Sequence, residues 1–367
     1  MRRPAMSDPA PQPAPPPHRW SLARRLLGPL VVLASLVLIA AVFLFALWAR
    51  TPTPHSKSPA VVDISKGAGL ADIAAALEDA GVIGRPRLFV MLAFAAGAQG
   101  ELRAGEYEFA EGGSPWEVLT ILRSGRTKRH FVTLQEGWTV AQMADAIAGA
   151  NLARRAELLA LSGDPAFARA LDLPGETLEG YCFPDTYAFT RGMSAGAILK
   201  RLVSRFREVY AEEKAAAGAE AGGDLSEHEI VTLASIVEKE TGVPGERALI
   251  AAVFLNRLRL GMRLQSDPTV IYGIADFDGN LTREHLARPG PYNTYVRAGL
   301  PPGPIANPGR AALRGVLEPA PDDYLYFVSR NDGSHAFSRT LAEHNRAVRR
   351  YQKRPRAAPA PNAESRS

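Results

Sequence analysis

An uncharged run of 23 residues, Leu26–Trp48 (LLGPLVVLASLVLIAAVFLFALW), constrains this chain more than any other feature. As a helix rising about 1.5 Å per residue it reaches about 35 Å, enough to cross a hydrocarbon core of about 30 Å with some tilt. A secretory signal has a shorter apolar core, and the Ala-Leu-Trp-Ala-Arg that closes this run is a weak cleavage sequence. A retained anchor is therefore expected, with a cleaved signal as the alternative. Arg2, Arg3, Arg19, Arg24 and Arg25 precede the run, while only Arg50 and Lys57 follow it closely. By the positive-inside rule the Pro- and Arg-rich tail, residues 1–25, stays in the cytoplasm, and everything after Trp48 is exported. The same arginines account for the overall charge. The chain carries a formal +5 and a pI near 9.4, yet residues 51–367 hold 37 basic and 37 acidic groups. An overall basic body of the kind that binds nucleic acid is thereby excluded.

With 46% hydrophobic and 22% charged residues the composition of the chain is that of a foldable one, and 367 residues suit roughly two domains. Cys182 is the single cysteine, which excludes an intramolecular disulfide framework; between Tyr181 and Phe183 it reads as a small buried apolar residue. The seven histidines lack the H-E-x-x-H spacing, so no metal site is expected. No P-loop is present, and Gly67-x-Gly69 lacks the third glycine of a dinucleotide fingerprint, so no cofactor is expected either.

After a Pro/Ser-rich linker, placed at 49–59, the sequence repeats itself. Val62-Asp63-Ile64 leads to Gly67 and then Leu70, Ile73, Ala74 and Leu77. At an offset of 70, Val132-Thr133-Leu134 leads to Gly137 and then Val140, Met143, Ala144 and Ile147. Each copy predicts a short strand, a glycine turn, and a helix with apolar residues at i, i+3, i+4 and i+7. A looser copy between them runs from Tyr107 and Phe109 through Gly112 and Ser114 to Val118, Leu119 and Leu122. Such units resemble LysM-type modules, which bind N-acetylglucosamine-containing glycans; a spacer that touches no sugar is the other reading. This subdomain is placed at 60–160, a catalytic domain at 161–352, and a disordered tail at 353–367.

Residues 211–224 are rich in Ala, Gly and Glu and read as a loose surface connection. Ser226-Glu-His-Glu229 then forms a capping box that starts a helix with Ile230, Leu233, Ala234, Val237 and Thr241 as its core stripe. Lys239 falls opposite the stripe, and Glu238 and Glu240 fall on its two flanks. A glutamate on such a flank, in the last turn of a helix, is in surroundings able to hold it protonated: burial disfavours the charge and the helix dipole adds negative potential. A protonated carboxyl is what cleavage of a glycosidic bond uses as general acid. Taken alone, the same two residues read first as surface or salt-bridge glutamates.

Longer motifs carry a resemblance. Leu233-Ala-Ser-Ile-Val-Glu238-Lys-Glu240-Thr241, Phe254-Leu-Asn256-Arg257-Leu and Met262-Arg-Leu-Gln265-Ser-Asp267-Pro268 occur in that order. Tyr292-Asn293-Thr294-Tyr295, Gly299-Leu-Pro-Pro-Gly-Pro-Ile and Asn307-Pro-Gly follow, and Leu178-Glu179-Gly180-Tyr181-Cys182-Phe183-Pro184-Asp185 precedes them. Over about residues 60–352 the chain resembles the endolytic murein transglycosylase (YceG-like) family. The resemblance implies a single-pass inner-membrane enzyme with a periplasmic body. Such an enzyme cuts peptidoglycan strands internally between N-acetylmuramic acid and N-acetylglucosamine, next to peptidoglycan synthases as partners. It also implies that Glu238, the first glutamate of the E-K-E-T motif, is the catalytic acid.

In that chemistry Glu238 protonates the bridging oxygen. The C6 hydroxyl of the same muramoyl ring then closes a 1,6-anhydro ring and returns a proton to Glu238. Gln265, Tyr292, Asn293 and Tyr295 are candidates for holding sugars, and Asp267, Glu240 and Glu179 are further candidates in the same cleft. Two Pro/Gly-rich loops, 288–295 and 299–309, are expected to wall it. The alternatives are a non-catalytic wall anchor and a hydrolytic muramidase. Strands in short units, a helix pair at 226–241 and 246–260, a strand at 323–329, a turn to His335–Phe337 and a last helix at 340–352 predict an α+β fold.

Overall fold

The computed structural model describes residues 20–53, 59–110 and 112–352; most of the expected N-terminal tail, part of the linker and the expected C-terminal tail lie outside the described residues. The chain divides into two compact units, Met1–Thr127 and Lys128–Ser367.

The first unit begins with α1 (Trp20–Arg50), which contains the one span among the described residues long and apolar enough to cross a membrane, Leu27–Arg50. Then come β1 (Ala60–Ile64), α2 (Leu70–Asp79), α3 (Pro86–Ala95), β2 (Gly105–Phe109) and α4 (Pro115–Ser124). β1 and β2 pair antiparallel, from Ala60 opposite Phe109 to Ile64 opposite Gly105. The alternation read in the sequence decides which face packs: Val62 and Ile64 are buried with Tyr107 and Phe109, and Ile73, Ala74 and Leu77 of α2 close over them. The last turn of α1 belongs to this core, with Ala49 buried and Phe45 and Trp48 packed beside it. The expected linker starts docked: the Thr53 amide and hydroxyl both donate to the Gly113 carbonyl, at 3.1 and 3.0 Å.

In the second unit, β3 (His130–Thr133), α5 (Val140–Gly149), α6 (Arg155–Ser162), α7 (Pro165–Ala170) and β4 (Thr186–Phe189) repeat the plan, and β3 pairs antiparallel with β4. The compact units divide after Thr127, whereas the sequence reading draws its boundary near residue 160. The second full copy of the repeat belongs to the unit that follows because its strand partner, Thr186–Phe189, lies there. Gly67 and Gly137 both turn at positive φ, +85° and +73°, where a Cβ is strained.

α8 (Ala195–Ala217) runs well into the segment expected to be a loose connection. Ala, Glu and Lys are good helix formers, and the helix stops at Gly218 (φ +91°). Glu213 is buried there, paired with Arg310 at 2.5 Å and Arg314 at 2.7 Å. α9 (Glu227–Glu240) starts at the expected Ser226–Glu229 capping box and is buried continuously from Ile230 to Val237. α10 (Arg247–Arg259) and α13 (Arg310–Leu317) pack on it, and α13 packs in turn on α8. The short helices α11 (Asp267–Tyr272) and α12 (Arg283–Ala287) sit in the stretch between, and β5 (Tyr326–Ser329), β6 (His335–Ser338) and α14 (Leu341–Tyr351) finish the unit. Among the described residues three two-stranded antiparallel sheets and fourteen α-helices make the expected α+β fold.

Candidate active site

α9 ends because Thr241 turns extended (φ −142°, ψ 136°), and a single 3-10 turn at Pro244–Glu246 reverses the chain into α10. The reversal brings Arg247 back beside Glu238. The Glu238 side chain is only 5% exposed. Its Oε1 accepts from Arg247 Nη2 at 3.0 Å and its Oε2 from the Gly309 amide at 2.9 Å. Gly309 is the N-cap of α13, so the carboxylate lies at the positive end of that helix. The sequence expected an apolar flank at a negative helix end for Glu238; the carboxyl is instead held by a guanidinium and a backbone amide, the salt-bridged arrangement the sequence also allowed. Arg247 as the partner was not foreseen.

A second carboxylate shares that guanidinium. Glu136, in the glycine turn between β3 and α5, places Oε2 3.9 Å from Arg247 Nη2 and is 49% exposed. Partial burial and the neighbouring Glu238 raise the Glu136 pKa above its ordinary value, and Arg247 opposes the rise. The turn is tied down on several sides. Lys239 Nζ donates to the Gly137 carbonyl at 3.2 Å. The Gly137 amide donates to Asn307 O at 3.0 Å, and the Asn307 amide donates to Trp138 O at 2.8 Å.

On the far side of the same two loops is Glu179. It accepts from the Val140 amide at 3.1 Å and from Asn307 Nδ2 at 3.0 Å, and it is hydrogen-bonded to the Tyr272 hydroxyl. Burial pushes its pKa up to about 7, against the pull of those donors. Glu240 points to the opposite flank of α9 from Glu238, where it accepts from the Ser266 hydroxyl at 2.5 Å. Burial raises it to about 6, and Asp267 adds to the rise.

The remaining candidates form one neighbourhood. Tyr272 and Tyr292 meet edge to face with centroids 4.8 Å apart, and both border a cleft of about 570 Å³ with His285, Arg288 and Asn293. Asn293 is buried and its amide serves the loop itself, donating to the carbonyls of His285, Leu286 and Arg288, the last at 2.8 Å. Tyr295 donates to Asp267 Oδ1 at 2.6 Å. Gln265 is exposed and takes a positive φ of 52°. Cys182 is buried and free. His335 is bound to Glu246 at 2.6 Å. Among the described residues no cluster of three or more His, Cys, Asp or Glu stands ready for a metal.

Sequence reasoning missed Arg247, Glu136 and Gly309. For Glu136 a signal existed: the repeat replaces an ordinary Lys66 with an acid at the same turn position.

The YceG-like family model matches residues 62–350, and the chain belongs to that family. A Bacillus subtilis protein named endolytic murein transglycosylase is 33% identical over 315 residues, covering 81% of this chain and 86% of its own length. A Streptococcus pneumoniae (D39) protein of the same name is 27% identical over 326 residues, which is 80% of this chain and 58% of the pneumococcal protein. The crystal structure of a yceG-like protein from Listeria monocytogenes superposes with a TM-score of 0.53 at 33% identity, over 79% of this chain and 99% of the other. Both of these named relatives are thus lytic transglycosylases, an enzyme class.

Proposed function

We propose that this chain cuts peptidoglycan glycan strands internally between N-acetylmuramic acid and N-acetylglucosamine, leaving a 1,6-anhydro-muramic end, with Glu238 as acid and then base. The names of its relatives support the substrate class. The observation that carries the choice of residue is the seat of Glu238. Its carboxyl is nearly buried, fixed from both oxygens, and set at the N-terminus of α13. A group so placed stays put while a bulky glycan is positioned, which lets the sugar's own C6 hydroxyl act at high effective molarity. The half-exposed Glu136 beside it gives a hydrolytic muramidase a foothold, as a base for water. The product decides, because hydrolysis yields a reducing muramic acid heavier by one water than the anhydro sugar.

Tyr292, Tyr295, Gln265 and Asp267 hold sugar in this reading, and Asn293 acts by shaping their loop. Glu179 and Glu240 act as supports: Glu179 joins the loops behind Glu238, and Glu240 joins α9 to the segment before α11. α1 anchors the chain in an inner membrane with its N-terminus in the cytoplasm and the body in the periplasm. The β–α–α–β plan of the first unit fits a LysM-like glycan grip, and peptidoglycan synthases are the partners whose nascent strands would be cut. The experiment is digestion of sacculi with the full chain and with Glu238→Gln, read by mass spectrometry. Loss of anhydro-muropeptides with retained folding is expected; normal product yield from Glu238→Gln sinks the assignment.

A further inference from the structure

An acid that must hand a proton to a substrate oxygen here starts with both of its own oxygens engaged. Oε2 faces a backbone amide, which is fixed. Oε1 faces Arg247, which is a side chain and has somewhere else to go: Glu136 Oε2 lies 3.9 Å from the same Nη2. Arg247 Nε is buried without a hydrogen-bond partner, so the present arrangement leaves part of the guanidinium unsatisfied. Glu136 itself is close against Gly309, where an added Cβ would sit 2.0 Å from Oε1. The two carboxylates differ in one respect that matters: Glu238 is 5% exposed and Glu136 is 49% exposed.

We propose that Arg247 passes from Glu238 to Glu136 when a glycan strand enters, which makes Arg247 and Glu136 positioning residues that govern the proton on Glu238. The inference rests on the reading of Glu238 as the acid. A sugar ring placed against Glu238 also covers the half-exposed Glu136 and displaces its water, and desolvation strengthens its attraction for the guanidinium. Once Arg247 leaves Oε1, that oxygen can hold a proton taken from solvent. Glu238 gives this proton to the bridging oxygen as the C1–O bond breaks and its electron pair leaves with that oxygen. The C6 oxygen then bonds to C1 and its proton passes to Glu238. Each turnover ends with Glu238 protonated as it began, so Arg247 need move only once per bound strand.

Three charged groups face Glu238. Glu136 comes from the β3–α5 turn, Arg247 from the start of α10, and Lys239 from its own helix, with its Nζ on the Gly137 carbonyl. Arg310, next to Gly309, is turned to Glu212 and Glu213. Arg247 is thus the only one of the three whose charge opposes protonation and whose alternative partner lies within reach.

The test is the kcat–pH profile of the full chain on uncrosslinked peptidoglycan strands. Glu136→Gln is expected to lower kcat about tenfold with KM within about twofold, and to move the alkaline limb down by about one pH unit, because Arg247 then stays on Glu238. Arg247→Met, alone or combined with Glu136→Gln, is expected to return the limb to the wild-type pH or above. Glu136→Asp keeps the charge and the wild-type limb. An unshifted limb in Glu136→Gln overturns the inference whatever its rate, and so does a lowered limb that persists in the double variant. Full activity in Glu238→Gln overturns the assignment of the acid instead, so the two failures are distinguishable.

Discussion

In the first repeat the turn after β1 reads Ser65-Lys66-Gly67-Ala68; in the second, 70 residues on, the turn after β3 reads Gln135-Glu136-Gly137-Trp138. The backbone is the same, with both glycines at positive φ and each flanking helix packing its i, i+3, i+4, i+7 face. The surroundings differ. A Cβ on Gly67 would meet nothing within 4 Å, whereas one on Gly137 would meet Lys239 at 3.5 Å and Glu238 at 3.6 Å. One copy turns into solvent and the other is built into the wall of the site. A duplicated scaffold thus holds its shape while the residue beside the glycine differs with what the turn lies against.

Exchanging those residues should break the comparison most sharply. Glu136→Lys sets a second cation beside Arg247 and should cut the rate on the order of 10³-fold, while Lys66→Glu in the first copy should leave it within about twofold. Turnover assays on strands check both, and equal effects would show that the turns are not functionally distinct.

Next in size is the pH dependence of stability carried by Glu179, which exists only in the second copy, on the first amide of α5. Its folded pKa of about 7 lies above the ordinary carboxylate value, so the folded state binds the proton more tightly than the unfolded one. Stability is then fullest below about pH 4.5 and declines as pH rises to about 7, by on the order of 3 kcal/mol at most. Glu179→Gln should flatten that slope, as measured by denaturant unfolding at pH 5 and pH 8. An unchanged slope would place the proton elsewhere.

Gly309→Ala should force the Glu136 carboxyl away from α13 and slow turnover about tenfold, with a loss of stability of about 1–3 kcal/mol. A normal rate would separate Glu136 from the site. The smallest effect sharpens the likeness of the two turns: Gly67→Ala and Gly137→Ala should each cost about 1–2 kcal/mol from left-handed strain alone. Thermal melts that differ by more than that would end the equivalence.

Much of this was legible in the sequence because it is local. The capping box at Ser226, the stripe of α9 and the placement of Glu238 and Glu240 on opposite flanks follow from periodicity within one helix. The repeat follows from apolar spacing. Arg247 was not legible in that way: it stands nine positions after Glu238, beyond a reversal whose angle is set by Thr241 and the Pro244 turn. Glu136 reads as a solvated acid until a helix more than a hundred residues later is packed against it. The pairing of β3 with β4 was not legible for a related reason, since β4 has no distinguishing mark of its own. Ala-rich 211–217 misled because composition hides the two arginines of α13 that hold Glu213 inside.

The last turn of α1 is part of the first unit's core, through Ala49, Phe45 and Trp48, and Thr53 is fastened to Gly113 just beyond it. Such a joint transmits torque. Any rotation of the apolar helix about its long axis turns the first unit with it through the same angle, as a key turns with its shaft, whereas a slack tether would let the two spin independently.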